Sequence, residues 1–193
     1  LLHIAQKFRA KFFLFPVEIS LICAILFSTI LEWPGSSRSG RRRVSFLAKI
    51  IAIVNQKGGV GKTTTSQALA AGLAAKGYRV LGIDLDPQGN FSTACGAENY
   101  NVQTIYEVMK RAASIQDAIQ HTKGGYDVVP ANIMLAGAEQ EFSQTGKEHR
   151  LKEAVAPVAS DYDFIVIDTP PSLGVLTVNA FTCATDILIP TTA

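Results

Sequence analysis

The glycine-rich run after residue 54 constrains this chain more than any other feature. Lys49–Val54 is short, apolar and rich in isoleucine; Asn55-Gln56-Lys57-Gly58-Gly59-Val60-Gly61 follows; and Lys62-Thr63-Thr64-Thr65 opens a helix-patterned segment that runs to Lys76 and stops at Gly77. A strand, a glycine loop and a helix in that order aim the unpaired N–H groups and positive end of the helix at whatever the loop encloses. Gly58, Gly59 and Gly61 let the backbone approach an anion closely with its N–H groups turned inward. Three successive threonines start a helix poorly, because β-branched side chains lose rotamer freedom there, so hydroxyl chemistry explains them better than propensity. The G-x-x-x-x-G-K-[ST] pattern suits a triphosphate. It puts Lys62 on the β- and γ-phosphates, the Thr63 hydroxyl on Mg²⁺, Thr64 at the α-phosphate, and the backbone of Gly58, Gly59, Val60 and Gly61 around them. One position departs from it: where the first glycine belongs, residue 56 is Gln56, followed by Lys57.

Downstream, short apolar runs alternate with helical patterns, which predicts an α/β domain: a mostly parallel central sheet in a three-layer sandwich of the P-loop NTPase type. Strands are expected at Lys49–Val54, Arg79–Leu85, Tyr126–Val129, Phe164–Ile167 and Asp186–Pro190. Helices are expected at 62–76, Thr104–Lys110, Ser114–His121, Ile133–Phe142, His149–Ala159 and Val175–Ala184. Phe164-Ile165-Val166-Ile167 delivers Asp168 at its carboxyl end, where ligands sit in open α/β sheets, and such an acid suits a Mg²⁺-bound water. The second strand runs into Asp84-Leu85-Asp86-Pro87-Gln88-Gly89-Asn90, which by its turn-forming residues reads only as a loop.

Composition removes other classes. Cys23, Cys95 and Cys183 are far apart and form no C-x-x-C, and His3, His121 and His149 are equally scattered, so neither a disulfide framework nor a zinc site is indicated. The net charge of +2 conceals an asymmetry: residues 1–48 hold seven Lys/Arg against two acids, and residues 49–193 hold eleven against fourteen. Bulk charge of the body therefore gives no support for nucleic-acid binding.

Residues 1–48 form a separate hydrophobic and basic extension ahead of the 49–193 domain. Phe12–Leu31 contains thirteen Leu, Ile, Val or Phe residues in twenty. As a helix it would match a bilayer core of about 30 Å, despite Pro16 and Glu18. Lys7, Arg9 and Lys11 on one side nearly balance Arg38, Arg41, Arg42 and Arg43 on the other, so orientation is not specified. Three readings compete: a membrane anchor, an amphipathic appendage, or upstream sequence outside the working protein.

The Lys57-Gly58-Gly59-Val60-Gly61-Lys62-Thr63 run resembles the deviant Walker A loop, K-G-G-x-G-K-[ST], of the ParA/MinD superfamily. Asp84-Leu85-Asp86-Pro87-Gln88-Gly89-Asn90 resembles the D-x-D-P-Q-G-N motif of its ParA/Soj partition ATPases, and Thr169-Pro170-Pro171-Ser172-Leu173-Gly174 their switch II loop. The resemblance runs from about Lys49 to the C-terminus and implies that the C-terminal part of the family's domain is missing. It further implies that Lys57 reaches across an ATP-sandwich dimer to the partner's phosphates, although by its own chemistry Lys57 can equally be a solvated loop lysine. Asp86 is implied as the switch I aspartate that positions water, and Asp84 as a supporting acid near the magnesium shell, a weaker candidate for the metal. MinD-like proteins lack the Asp-Pro-Gln-Gly-Asn loop. Nitrogenase iron proteins need paired cluster cysteines, and bacterial tyrosine kinases carry a tyrosine-rich tail that this sequence does not have.

What the resemblance implies is an Mg-ATP-dependent switch. ATP joins two copies into a homodimer, the dimer binds DNA nonspecifically, and slow hydrolysis, stimulated by a ParB-like partner, releases it during chromosome or plasmid partition. Lys57, Lys62 and Asp86 would be catalytic, with a cytoplasmic, nucleoid-associated location. The alternative is a membrane-anchored MinD-like or kinase-like regulatory ATPase that uses residues 12–31 as its anchor.

Overall fold

The computed structural model describes residues 13–16, 48–141 and 147–191. In chain order the elements are β1 (Phe13–Pro16), β2 (Lys49–Ile53), α1 (Lys62–Ala75), β3 (Val80–Asp84), α2 (Asn90–Cys95), α3 (Ile105–Met109) and α4 (Ile115–Ala118). Then come β4 (Gln120–His121), β5 (Asp127–Val129), α5 (Leu135–Glu141), α6 (Arg150–Val155), β6 (Phe164–Asp168), α7 (Val175–Cys183) and β7 (Asp186–Thr191). The strands form one sheet in the order β1-β7-β2-β6-β3-β5-β4. Every pairing is parallel except β4 with β5.

Side-chain alternation along the central strands makes the three layers. Ile51, Ile53, Phe164 and Val166 face one way and pack with Leu69, Ala70 and Leu73 of α1 and Phe91 of α2. Ala52, Leu81, Ile83, Ile165 and Ile167 face the other way and pack under α3 to α7, against Ile105, Met109, Leu135, Leu151 and Leu176. Both faces are covered, so β3 and β6 are buried at every residue and read as continuous apolar runs rather than alternating ones.

α1 ends by a glycine device legible in the sequence. Gly77 sits at φ 81, and the N–H groups of Gly77 and Tyr78 return to the carbonyls of Ala74 and Leu73. This two-bond cap satisfies carbonyls that the last turn would otherwise leave open. β2 leads into α1, and α1 crosses to β3, yet β2 and β3 are not neighbours: β6 inserts between them. The register then sets Ile53 beside Asp168 and Asp168 beside Asp84, at the carboxyl ends of three adjacent strands.

Several expectations shift. The helix expected over Ser114–His121 stops at Ala118, because Ile119 turns extended and Gln120–His121 pair antiparallel with Asp127–Val128. The one expected over His149–Ala159 is helical only over Arg150–Val155, with turns beyond, where Pro157 supplies no N–H. α2 starts at Asn90, the last residue of the stretch read as a loop, and continues through 91–95, for which no element was expected. Within the candidate bilayer span, Phe13–Pro16 is an edge strand parallel to β7 rather than helix. It pairs the outer backbone edge that β7 would otherwise present. The remaining residues of the span, 12 and 17–31, and the arginine run 38–43 lie outside the described residues. Among the described residues no helix is long and apolar enough to cross a membrane.

Candidate functional site

The loop between β2 and α1 is held by its ends and open in its middle. The Asn55 side chain accepts from Lys57 N at 2.9 Å and donates to the Pro190 carbonyl at 2.7 Å, so the start of the loop is tied to β7. Val60 is buried and anchors the far side. Gly59 (φ 72) and Gly61 (φ 84) are left-handed, which glycine alone adopts without strain. Gly58 has no such backbone requirement, and a Cβ added at Gly58, Gly59 or Gly61 would meet nothing within 4 Å. The space beside these glycines is therefore not filled by the chain's own packing.

An ammonium, two hydroxyls and a carboxylate converge at the helix start. Lys62 is nearly buried, with Nζ donating to the Lys57 carbonyl at 3.3 Å. Burial lowers its pKa from the ordinary lysine value, while the carboxylates of Asp168 and then Asp86 oppose the shift. The Thr63 hydroxyl donates to Asp168 Oδ2 and the Ser66 hydroxyl to Asp168 Oδ1, each at 2.8 Å. Burial, then the Asp84 charge, pushes Asp168 up to about 7 against the opposing bonds from Ser66 and Thr63. The sequence expectation named Thr63 and Asp168 but not Ser66. The signal was present, since residues three apart on a helix share a face. Thr64 is exposed and Lys57 projects from the loop surface.

The second acid-bearing loop lies on the other side of β6. Asp84, fully buried, accepts from Asp86 N at 3.0 Å through Oδ1, and from Ser92 N at 2.9 Å and Ser92 Oγ at 2.7 Å through Oδ2. Burial pushes it up to about 6, against those hydrogen bonds. Asp86, also buried, accepts from Gln88 N at 3.0 Å, and its carbonyl accepts from Gly89 N at 2.9 Å. Asp84 is thus surrounded by loop donors, whereas Asp86 heads the turn. Thr169, first residue of the segment after β6, donates to the Ile53 carbonyl at 2.7 Å and fixes the start of that loop against β2. The six candidates Lys57, Lys62, Thr63, Asp84, Asp86 and Asp168 all fall on the carboxyl edge of β2, β6 and β3.

Residues 48–193 match the family model described as AAA domain. The chain is 51% identical over 147 residues to the sporulation initiation inhibitor protein Soj of Bacillus subtilis, covering 75% of this chain and 58% of that protein. It is 47% identical over 154 residues to the chromosome partitioning protein ParA of Myxococcus xanthus, covering 78% and 54%. The chain belongs to the ParA/Soj family of P-loop NTPases. It spans somewhat more than half the length of these relatives.

Among solved structures, a Mycobacterium smegmatis protein described as cobyrinic acid a,c-diamide synthase, with bound ATP analogue and magnesium, superposes with a TM-score of 0.72 at 42% identity, covering 75% of this chain and 60% of that one. A plasmid partition protein from Borrelia burgdorferi gives a TM-score of 0.70 at 35% identity, covering 76% and 66%. One ParA/Soj-like fold thus carries differently named activities, and the function of this chain has to rest on its site.

Proposed function

We propose that this chain carries the nucleotide-binding half of an Mg-ATP-dependent dimerisation switch and ATPase of the ParA/Soj type. The observation that carries this is the Thr63 hydroxyl at 2.8 Å from the Asp168 carboxylate, beside the buried Lys62 and a glycine loop with open space around it. Hydroxyl and carboxylate oxygens are the donors a hard divalent cation takes. Among the described residues no three His, Cys, Asp or Glu stand close enough to form a metal site of their own. A small cation such as Mg²⁺ fits that donor set, with most of its ligands coming from nucleotide phosphates and water.

When bound, Mg²⁺ supplies charge neutralisation across the β- and γ-phosphates. The loop N–H groups of Gly58, Gly59, Val60 and Gly61 would orient the phosphates, Lys62 would hold the β- and γ-oxygens, and Thr64 would reach the α-phosphate. Asp168 would act through a water, and Asp84 as a support near the metal. Asp86, held by Gln88 N and the Asp84 contact, would orient the attacking water, so that the chain contributes mainly positioning and electrostatics. Lys57, solvent-facing on the loop, would act on the phosphates of a second copy. Nonspecific DNA binding, a ParB-like stimulating partner, a role in chromosome or plasmid partition and a cytoplasmic, nucleoid-associated location follow from the family reading. Residues 1–48 would be an extension to the 49–193 domain.

Two substitutions test the assignment. Lys62→Ala should abolish binding of a fluorescent ATP analogue, and unchanged affinity would overturn the phosphate role of this lysine. Asp86→Ala should keep nucleotide, lose hydrolysis and prolong the ATP-dependent dimer seen by light scattering; undiminished hydrolysis would remove Asp86 from the reaction.

A further inference from the structure

Asp86 is held almost entirely by backbone, and that backbone is fixed by a residue outside the loop motif. Its N–H is bound by Asp84 Oδ1, and the other oxygen of Asp84 receives both the N–H and the hydroxyl of Ser92. The Ser92 oxygen, fully buried, also accepts the Ala131 N–H at 2.9 Å. One hydroxyl therefore joins the end of β3, the first turn of α2 and the segment after β5.

Packing around this hydroxyl leaves α2 little alternative placement. Phe91 lies directly over Gly82 of β3, where an added Cβ would stand 2.7 Å from the ring. Gly89, left-handed at φ 63, presses on the same segment, and a Cβ there would come 2.9 Å from the Ala131 carbonyl. The Asn132 side chain reaches the Asn99 carbonyl at 3.3 Å, closing the clamp beyond α2. Apolar packing fixes the helix, and Ser92 carries that placement to Asp84 through both its N–H and its hydroxyl, and so to the N–H of Asp86; the hydroxyl alone also ties in the Ala131 N–H.

We propose that Ser92 is a positioning residue for nucleotide hydrolysis, acting through Asp84 to hold Asp86 where it can orient water and tying that geometry to the 130–132 segment. The proposal rests on the reading of Asp86 given above. Without the Ser92 oxygen, the buried Ala131 N–H loses its acceptor and Asp84 Oδ2 keeps only the Ser92 N–H of its two donors, so the hold on Asp84 loosens and the Asp86 loop relaxes. A small misplacement of a water-orienting group costs catalysis steeply and leaves ground-state binding largely intact.

The test compares Ser92→Ala, Ser92→Cys and Ser92→Thr with Asp86→Ala in single-turnover Mg-ATP hydrolysis, alongside nucleotide affinity and thermal midpoint. Ser92→Ala should slow the chemical step about ten- to hundredfold with nucleotide affinity nearly unchanged. Ser92→Cys, of similar size but a weaker acceptor, should fall between, and Ser92→Thr should restore the rate. Amide exchange at Asp86 and Gln88 should quicken in Ser92→Ala and recover in Ser92→Thr, a readout that needs no turnover. If Asp86→Ala loses hydrolysis while Ser92→Ala and Ser92→Cys keep it, the positioning role is wrong and the Asp86 reading stands. Rate and affinity falling together in the Ser92 variants would reduce Ser92 to a structural residue and also refute the inference. If Asp86→Ala itself hydrolyses normally, or the unsubstituted chain does not hydrolyse ATP, the underlying reading falls instead. Should Ser92→Ala not fold, Ser92→Cys decides, and full activity in it overturns the role.

Discussion

Replacing Gly89 by alanine isolates how tightly the Asp86 loop is clamped, because a matched control lies seven residues away. Gly89 and Gly96 bracket α2, both left-handed, at φ 63 and φ 72. Alanine at either position carries the backbone penalty of that region, about 1–2 kcal/mol, partly offset by the smaller entropy of the unfolded chain, about 0.4–1 kcal/mol. Those contributions are common to both. At Gly96 a Cβ would meet nothing within 4 Å, whereas at Gly89 it would stand 2.9 Å from the Ala131 carbonyl and 2.9 Å from Asn99 Nδ2. The Asn99 amide can swing aside, but the Ala131 carbonyl belongs to a segment already bonded to Ser92. Relieving that overlap costs about 1–3 kcal/mol, the range for overpacking a fixed site. Gly96→Ala should therefore lose about 1 kcal/mol of stability and Gly89→Ala about 2–4 kcal/mol. Urea unfolding followed by far-ultraviolet circular dichroism reads both, and the difference appears as a lower midpoint at unchanged slope. Equal losses at the two positions would refute the clamp.

Two further outcomes are expected. Lys57→Ala mixed with unsubstituted chain should impair the partner's hydrolysis within ATP-dependent dimers, and a defect confined to the substituted subunit would reject a role across the interface. Cys183, buried and pushed up to about 12 by that burial, should stay a neutral thiol and resist iodoacetamide at pH 8 until urea unfolds the chain. Rapid alkylation of the native protein, mapped by mass spectrometry, would contradict its place in the core.

Elements whose own residues dictate them were legible before the structure. The isoleucine-rich β2, the β6 run ending in Asp168, and α1 with Gly77 beyond it each announce themselves locally, through periodicity, strand composition and a left-handed cap. The helix α2 did not, because Asp86–Asn90 has turn chemistry and the five residues that follow are helical mainly because Phe91 and Ser92 dock on β3. β4 was missed for a similar reason: Gln120–His121 is too short to carry a pattern and exists through pairing with Asp127–Val128. Ser66 could have been found from Thr63, three residues before it on the same helix face, but Ser92 lies 39 residues from the Ala131 N–H, a separation at which no spacing rule operates.

By itself the sequence determined the chemistry available at the phosphate loop: glycines where backbone must come close or turn left-handed, an ammonium and a hydroxyl at the helix start, and acids at two strand ends. Those are properties of single residues and their immediate neighbours. Only the tertiary structure decided that these groups meet, because β6 enters between β2 and β3 and its register sets Asp168 beside both Ile53 and Asp84. Strand order depends on which apolar faces bury together across the whole sheet, and no local stretch of the chain carries that information.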